Sequence, residues 1–294
     1  MSASCFTGGG TWIITPPAPG RFERVLRARP EVALLDLEDS VAAEGKDAAR
    51  VAALASLCAA PGRRAGVTTG LRINGPGTVH GLKDLAALAD CGLRDAVVLV
   101  PKVESARDID LIAQVLDVAG RGLNLWALIE TPRALHRLDA VLAAPMLQGV
   151  VFGAADYAAA TGCRTSSRAL WWARSALVAG ASAAGIPAVD SPFFELDNPV
   201  GLRTESQDAR ELGFAGKGAV HPDQLPVIRE AFCPTADEIT SARAIVAAAE
   251  NAAGDLTRAG GQMVGPPLVA AARGLLARAE QGVLMPSVHQ EEAR

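Results

Sequence analysis

Two acidic residues each follow a short apolar run, and one helix-like stretch separates the two runs. Glu130 comes directly after residues 125–129, and Asp156 follows residues 150–152 after a turn of three small residues. Apolar runs of this length are typical of strands buried in a parallel sheet. Adjacent parallel strands end at the same edge, so the two carboxylates can face one point in space. Carboxylates that leave coordination positions open are how proteins hold Mg²⁺ for a substrate, and we predict this role for Glu130 and Asp156.

Helix capping is the alternative explanation for each acid taken alone. Acidic side chains are favoured in the first turn of a helix, where they accept hydrogen bonds from free N–H groups and meet the positive end of the helix dipole. A metal site is favoured for the pair because both acids stand at matching places in a chain that repeats one strand-and-helix unit.

The composition excludes several classes of protein. The 294 residues are 50% hydrophobic, and charged residues of both signs are interspersed, with a net charge of −4. Without a basic stripe, no nucleic-acid partner is expected. The apolar stretch at 175–189 is interrupted by glycine and proline, so no membrane span is expected. Residues 1–10 lack the pattern of a signal peptide.

Five cysteines occur singly in the sequence, with no CxxC pair. An odd number of scattered cysteines argues against a zinc site and against a disulfide framework. Unpaired thiols suit a reducing compartment, so we expect a cytoplasmic protein.

Eight short apolar runs alternate with longer helical patterns. Eight strands, each followed by a helix and buried on both faces, are typical of an α/β fold of the (β/α)8 TIM-barrel type, which we predict for residues 1–222. A doubly wound open sheet is the alternative, but the glycines at 8–10 precede the first strand, unlike those of a dinucleotide-binding turn. The predicted strands are 11–15, 32–36, 70–74, 96–100, 123–129, 149–152, 187–190 and 216–220. The predicted helices between them are 21–27, 46–59, 82–89, 106–119, 133–142, 166–184 and 199–212.

Further helical segments follow the eighth predicted strand, and a glycine-rich stretch at 254–267 joins two of them. We predict a C-terminal helical extension over residues 223–294. An extension of this kind in a compact enzyme more often contacts a second subunit than it extends into solvent. We therefore expect it to pack on a neighbouring subunit.

In a barrel of this type, the chemistry lies at the carboxyl ends of the strands. Arg72, at the end of the third predicted strand, can hold a carboxylate because its guanidinium fork matches two carboxylate oxygens. An ion pair with Glu38 or Asp39 explains Arg72 equally well. Lys102 could form a Schiff base in principle, but among so many acids it is expected to stay protonated and paired.

Six short motifs stand at the ends of predicted strands. They read LDLEDSV at 35–41, LRIN at 71–74, VPKVE at 100–104, LIET at 128–131, FGAAD at 152–156 and GFAGKGAVHPDQ at 213–224. Singly none is specific, but in this order along nearly the whole chain they resemble the citrate lyase beta subunit family. This family belongs to the HpcH/HpaI aldolase group, which also contains malyl-CoA and citramalyl-CoA lyases.

The resemblance implies a barrel that assembles as a homotrimer or a higher oligomer such as a hexamer. It implies Mg²⁺ as cofactor, held by Glu130 and Asp156, with Arg72 holding a carboxylate of the substrate. Members of the family cleave or form a carbon–carbon bond next to a thioester, so the implied substrates are small 2-oxo or hydroxy acids or their acyl-CoA thioesters. Mg²⁺ would act as a Lewis acid on a substrate oxygen.

Two sets of residues at the rim follow from the resemblance. The catalytic set is Arg72, Glu130 and Asp156. The substrate-binding set is Arg72, Glu38, Asp39, Lys102, Gly153, Ala154 and Ala155.

The chain departs from the family pattern in two places. The loop after the first strand, at 16–20, is longer and stiffer than the family's Val-Pro-Gly loop. The family's C-terminal Gly-x-Met-Val-Asp run ends here in Gly265, where the family has an Asp that acts as acid or base in a neighbouring subunit's site. A glycine cannot transfer a proton. Three alternatives to a CoA-dependent lyase therefore stay open: a thioester hydrolase on the same metal site, an aldolase that does not use coenzyme A, and a non-catalytic homologue.

Overall fold

The computed structural model describes residues 9–59, 63–64, 66–251 and 257–283. The chain divides into two compact units, Met1–Arg229 and Glu230–Arg294. The packing of the C-terminal extension on a neighbouring subunit stays a prediction.

Eight parallel strands form a closed barrel in the first unit, as predicted. Each strand pairs with the next along the chain, and the last pairs with the first, with Gly10 opposite Gly216 and Ile13 opposite Ala219. A two-residue strand, Arg63–Arg64, runs antiparallel to the start of the third barrel strand. The barrel strands are β1 (Gly10–Thr15), β2 (Val32–Asp36), β3 (Val67–Arg72), β4 (Val97–Val100), β5 (Asn124–Ile129), β6 (Leu147–Phe152), β7 (Ala188–Asp190) and β8 (Gly216–Ala219).

Strand β3 begins three residues before the predicted start at residue 70, and it ends at Arg72. Thr68 and Thr69 are buried beside β2, with Thr68 opposite Val32 and Thr69 opposite Ala33. Threonine reads as polar in a hydrophobicity pattern, but its branched Cβ suits a pleated, buried surface. The register with β2 therefore extends the strand toward its N-terminus.

Helices connect successive strands of the barrel. Two predicted helices are each split in two: the one at 106–119 breaks at Asp117, which has a φ of 47°, and the one at 133–142 breaks at Arg137. Short 3-10 helices occur at Ala43–Gly45 and Pro222–Gln224. The α-helices are α1 (Arg21–Arg27), α2 (Lys46–Ala59), α3 (Val79–Asp90), α4 (Ala106–Val115), α5 (Val118–Arg121), α6 (Pro132–His136), α7 (Leu138–Leu142), α8 (Ala154–Thr161), α9 (Ser167–Ala183), α10 (Pro199–Leu212) and α11 (Leu225–Phe232).

Large apolar side chains from several strands fill the barrel interior. Trp12 on β1 and Trp126 on β5 are fully buried, with ring centroids 4.6 Å apart. Gly149 on β6 leaves space for this pair, because a Cβ at that position would lie 2.4 Å from the Trp126 ring. An interior packed this closely resists relative movement of its strands. It therefore fixes the positions of β5 and β6. The two predicted metal ligands follow these strands, Glu130 after β5 and Asp156 after β6.

In its described residues, the second unit contains two further helices and a β-hairpin. Its buried core is Ala242, Ile245, Val264 and Ala272. The helices are α12 (Ala236–Asn251) and α13 (Pro266–Val283). Across all described ranges, no helix combines the length and the apolar character that crossing a bilayer would require.

The hairpin pairs β9 (Thr257–Ala259) with β10 (Gln262–Val264), in the stretch that the sequence pattern predicts to be a glycine-rich connection. Gly260 and Gly261 have φ angles of 56° and 83°. Tight hairpin turns whose two central residues both have positive φ match the twist of the strands, and glycine adopts this conformation at little cost. The glycines therefore form the turn of a hairpin instead of an irregular linker.

The cysteines within the described ranges are all free thiols, as their scattered spacing predicts. They are Cys58, Cys91, Cys163 and Cys233.

Candidate active site

The carboxyl ends of β4, β5 and β6 bring Lys102, Glu130 and Asp156 together. Glu130 is the residue after β5, and Asp156 lies in the first turn of α8, a helix that the sequence pattern did not predict. The Nζ of Lys102 lies 2.6 Å from Oδ1 of Asp156 and 3.3 Å from Oε1 of Glu130. The two acids therefore converge on one cationic group.

Glu130 is the buried member of this group, with 1% of its surface exposed. Its Oε1 accepts a hydrogen bond of 2.8 Å from the backbone N–H of Lys102. Burial raises the pKa of Glu130 to about 7, because the Lys102 ammonium opposes this effect only in part and the Asp156 carboxylate adds to it. A carboxylate in this environment is stabilised by a cation beside it.

Lys102 has a left-handed backbone with a φ of 56°, which is uncommon for a residue with a Cβ. Its backbone N–H contacts Glu130, while its side chain reaches Asp156. Burial opposes the ammonium, but the hydrogen bond to Asp156 and the charge of Glu130 outweigh it and raise the pKa of Lys102 above its usual value. The geometry therefore favours the protonated, paired lysine over the neutral amine that a Schiff base requires.

Arg72, the last residue of β3, is held by an acid that the sequence pattern does not indicate as its partner. Asp36, at the end of β2, accepts hydrogen bonds of 2.7 Å from Nε and 2.8 Å from Nη2 of Arg72. The remaining nitrogen, Nη1, lies 2.8 Å from Oε2 of Glu38 and 3.3 Å from Oδ2 of Asp39. The predicted ion pairs with Glu38 and Asp39 thus exist, and the bidentate contact with Asp36 is added to them.

The charges of Arg72 and Glu130 both act on the carboxyl group of Glu38. Glu38 is 7% exposed, and burial raises its pKa to about 8, with Arg72 opposing the shift and Glu130 adding to it. Asp39, by contrast, has a side chain that is 61% exposed. Asp39 is therefore the more readily replaced partner of Nη1, and a substrate carboxylate could take its place.

Lys46 and Asp84, which the sequence pattern does not single out, fix the segments that carry these residues. The Nζ of Lys46 donates to the backbone carbonyls of Leu37 and Glu38 and to Oδ1 of Asn74. Asp84 accepts hydrogen bonds from the backbone N–H and the side-chain amide of Asn74. These contacts join the segments that follow β2 and β3. Both residues lie inside helical patterns, where nothing distinguishes them from ordinary exposed polar residues.

A second charged network lies at the ends of β7 and β8. Asp190 pairs with Arg174 and with Lys217, whose ammonium also contacts Glu205. Lys217 is fully buried, and it donates to the backbone carbonyl of Ser191 as well. Each of these charges has a partner of opposite sign, as buried charges require, so the network offers no unpaired group for chemistry.

The small residues before Asp156 form the turn between β6 and α8. Gly153 donates its N–H to the carbonyl of Ile129, Ala154 is buried and Ala155 is exposed. Their predicted role in substrate binding stays a prediction. Gly265 lies in the second unit, between β10 and α13.

The donor atoms near Lys102 fit a hard divalent cation. Within the described ranges, no three His, Cys, Asp or Glu side chains form a complete protein cage for a metal. Mg²⁺ in enzymes is often bound by one or two carboxylates, with water and substrate in the other positions. Glu130 and Asp156 could hold Mg²⁺ in this way, because their oxygens already stabilise a positive charge at one point.

Comparison with known proteins gives a consistent match. A model of the family described as HpcH/HpaI aldolase/citrate lyase matches residues 19–222. The chain is 36% identical over 279 residues to the citrate lyase subunit beta-like protein of Mycobacterium tuberculosis, covering 92% of this chain and 96% of that protein.

Two relatives from Cereibacter sphaeroides have names that describe different reactions. A (3S)-malyl-CoA thioesterase is 34% identical over 241 residues, and an L-malyl-CoA/beta-methylmalyl-CoA lyase is 31% identical over 261 residues. Each match covers 80% of this chain and 81% of the relative.

A solved structure of similar fold carries ligands. CitE from Mycobacterium tuberculosis, in complex with magnesium, acetoacetate and coenzyme A, has a TM-score of 0.79 and 34% sequence identity. The match covers 92% of this chain and 98% of that one.

Proposed function

The chain belongs to the HpcH/HpaI aldolase/citrate lyase family, and on this premise we propose that it is a Mg²⁺-dependent carbon–carbon lyase. Its proposed substrates are small 2-oxo or hydroxy acids or their acyl-CoA thioesters, which it would cleave or form. The malyl-CoA lyase among its relatives, and the magnesium, acetoacetate and coenzyme A in the similar CitE structure, support this substrate class.

One observation carries the proposal: Glu130 and Asp156, which follow neighbouring strands, converge on the Nζ of Lys102. A buried carboxylate and a half-exposed one around a single positive charge offer oxygen donors to a cation. Two carboxylates leave most positions of an octahedral cation free, so water and substrate atoms would complete its coordination.

Each residue of the site has a defined part in the proposed reaction. Mg²⁺, when bound, would polarise a substrate oxygen as a Lewis acid. Glu130 and Asp156 would hold the cation, with Glu130 fixed by the Lys102 N–H. Arg72 would bind a substrate carboxylate through Nη1, while Asp36 keeps the guanidinium in one orientation. Glu38, Asp39, Lys102 and the turn at Gly153, Ala154 and Ala155 would line the substrate.

The bond change in a 3-hydroxyacyl thioester is a retro-aldol cleavage. The hydroxyl oxygen loses its proton and becomes a carbonyl, and the electron pair of the broken carbon–carbon bond passes to the thioester enolate. The enolate then takes up a proton and leaves as the shorter acyl thioester.

Thioester hydrolysis is the second candidate, and Gly265 favours it. Glycine offers no group that could donate the proton which the enolate needs after cleavage, whereas hydrolysis produces no enolate. A (3S)-malyl-CoA thioesterase among the relatives is 34% identical, compared with 31% for the lyase. Water would attack the thioester carbonyl, and the coenzyme A thiol would leave with a proton.

One assay separates the two candidates. Purified protein is incubated with malyl-CoA and with citramalyl-CoA, in Mg²⁺ and in EDTA. A lyase releases acetyl-CoA together with glyoxylate or pyruvate, and these two oxo acids are measured as hydrazones. A hydrolase releases the free thiol of coenzyme A without a new carbonyl compound. Activity of either kind must disappear in EDTA. Products that form equally well in EDTA would overturn the metal-dependent proposal, and the absence of both products would overturn both candidates.

We propose further that the protein works as a homotrimer or hexamer in the cytoplasm. The free thiols at Cys58, Cys91, Cys163 and Cys233 support a reducing compartment. Light scattering coupled to size exclusion measures the assembly, and a monomer at micromolar concentration would contradict it.

A further inference from the structure

Lys102 touches the carboxylate pair twice, through its backbone and through its side chain. The backbone N–H donates to Oε1 of Glu130, and the ammonium lies within ion-pair distance of both Glu130 and Asp156. The peptide of Lys102 takes this position with a left-handed φ of 56°. The ammonium is thus placed at the point between the two acids where the proposed cation would be bound.

We propose that Lys102 is an exchangeable internal counter-ion: its ammonium neutralises the Glu130–Asp156 pair in the metal-free protein and leaves when a divalent cation binds. This inference rests on the proposed function, because it takes the two acids to be the metal ligands. It adds that the protein supplies its own cation to the site and that metal binding is a competition with this cation.

The charges require such a counter-ion. Glu130 is 1% exposed, and a buried carboxylate beside a second carboxylate is costly unless a positive charge compensates both. Arg72 is engaged by Asp36, Glu38 and Asp39. Among the contacts that the structure gives for Glu130, the positive charge comes from Lys102.

The same charges require the ammonium to move. A divalent cation and an ammonium between the same two carboxylates would repel each other at close range. Lysine is suited to exchange because its charge is compact and its stem is flexible. Its side chain is 38% exposed, so it has a path to solvent that Glu130 lacks. The backbone hydrogen bond to Glu130 does not depend on the ammonium and can stay in place.

The first test compares Lys102→Met with wild type. Methionine keeps the length of the stem and removes the charge. Lys83→Met is the matched control, because Lys83 is also a half-exposed lysine, with a side chain 48% exposed, and it pairs with Asp47 on α2, away from the carboxylate pair. Binding of Mn²⁺, followed by electron paramagnetic resonance, measures affinity, and thermal melting in EDTA and in saturating Mg²⁺ measures stability.

We expect Lys102→Met to bind Mn²⁺ about two- to fivefold more tightly than wild type, as is typical for the loss of one partly exposed ion pair. In EDTA its melting temperature should fall by about 1–4 °C, and saturating Mg²⁺ should remove most of this deficit. Lys83→Met should match wild type in affinity. Equal or weaker Mn²⁺ binding by Lys102→Met, or a deficit that is the same with and without Mg²⁺, would overturn the exchange.

A second measurement uses the wild-type protein and does not depend on the folding of a variant. The sequence contains four lysines, at positions 46, 83, 102 and 217. Reductive methylation followed by peptide mass spectrometry reports the accessibility of each one. Exchange predicts that Mg²⁺ increases the labelling of Lys102 and leaves that of Lys83 unchanged. Equal labelling of Lys102 with and without Mg²⁺ contradicts exchange. If wild type binds no Mn²⁺, the proposed function itself fails.

Discussion

A Cβ on Gly153 would lie 2.4 Å from the Cβ of Glu130 and 2.9 Å from its Oε2. The turn between β6 and α8 therefore packs directly against the buried carboxylate, and only a residue without a side chain fits there. This contact fixes the distance between the strand end that carries Glu130 and the helix that carries Asp156.

Gly153→Ala should therefore disturb the site. Overpacking of this kind costs roughly 1–3 kcal/mol of stability, and the displaced Glu130 should bind Mn²⁺ more weakly. Chemical denaturation and Mn²⁺ titration measure the two effects. Gly92→Ala is the control, because a Cβ at Gly92 meets nothing within 4 Å. If both variants behave like wild type, the packing of Gly153 against Glu130 does not matter.

Glu130→Gln tests the metal ligand with little change in shape. The amide oxygen can still accept the hydrogen bond from the Lys102 N–H, but the negative charge is lost. We expect Mn²⁺ binding to be lost and turnover to fall by about a hundredfold or more, as when a key electrostatic group is removed. Isothermal titration and the product assay measure these effects.

Glu104→Gln is the matched control for Glu130→Gln. Glu104 is a half-exposed acid that accepts a hydrogen bond from Thr131 and pairs with Arg133. It should stay within about twofold of wild type, as expected for a surface pair. Activity in Glu130→Gln at the level of Glu104→Gln would remove Glu130 from the mechanism.

Arg72→Lys separates charge from geometry. Lysine keeps the positive charge but cannot make the two parallel bonds to Asp36 and also face a substrate carboxylate. The KM for an acidic substrate should rise about tenfold, as expected when a bidentate contact is lost. Asp39→Asn, which leaves the Asp36 contact intact, should keep or lower KM. Steady-state kinetics decide, and an unchanged KM in Arg72→Lys would contradict the carboxylate role.

The pKa of Glu38 predicts the pH dependence of the metal-free protein. Burial raises this pKa from 4.5 to about 8, with Arg72 opposing and Glu130 adding to the shift. Between these values the folded state binds a proton that the unfolded state has released, so the free energy of unfolding falls as the pH rises. Melting temperatures in EDTA should decline from pH 5 to pH 8, and Glu38→Gln should make the decline shallower. An identical pH profile in the variant would show that Glu38 is not the group responsible.

Gly265→Asp tests whether the absence of an acid at position 265 limits the reaction. If the chain is a lyase limited by this position, the variant should release more acetyl-CoA from malyl-CoA than wild type does. If the chain is a hydrolase, the free-thiol product should not increase. Both products are measured in the same reaction. No gain in either one would mean that position 265 does not limit the reaction.

Pattern alone predicted the parts of this protein that depend on local order along the chain. Alternation of apolar runs with helical stretches predicts the barrel, because every parallel strand must be buried on both faces and followed by a crossover. The same pattern predicts that acids after strands meet at one rim. The hydrophobicity pattern was wrong at two places. It left Thr68 and Thr69 out of β3, and it predicted a glycine-rich connection where Gly260 and Gly261 form a hairpin turn.

Only the tertiary structure decided which charges pair with which. Asp36 lies next to Arg72, and Lys102 lies between Glu130 and Asp156, because strand register brings together residues that are 36, 28 and 54 positions apart. No spacing rule along the chain predicts such pairs, since each depends on the pairing of several strands at once. The sequence by itself therefore determined the fold and the rim on which the acids stand. Three-dimensional packing decided that a lysine lies between the two acids that we propose as metal ligands.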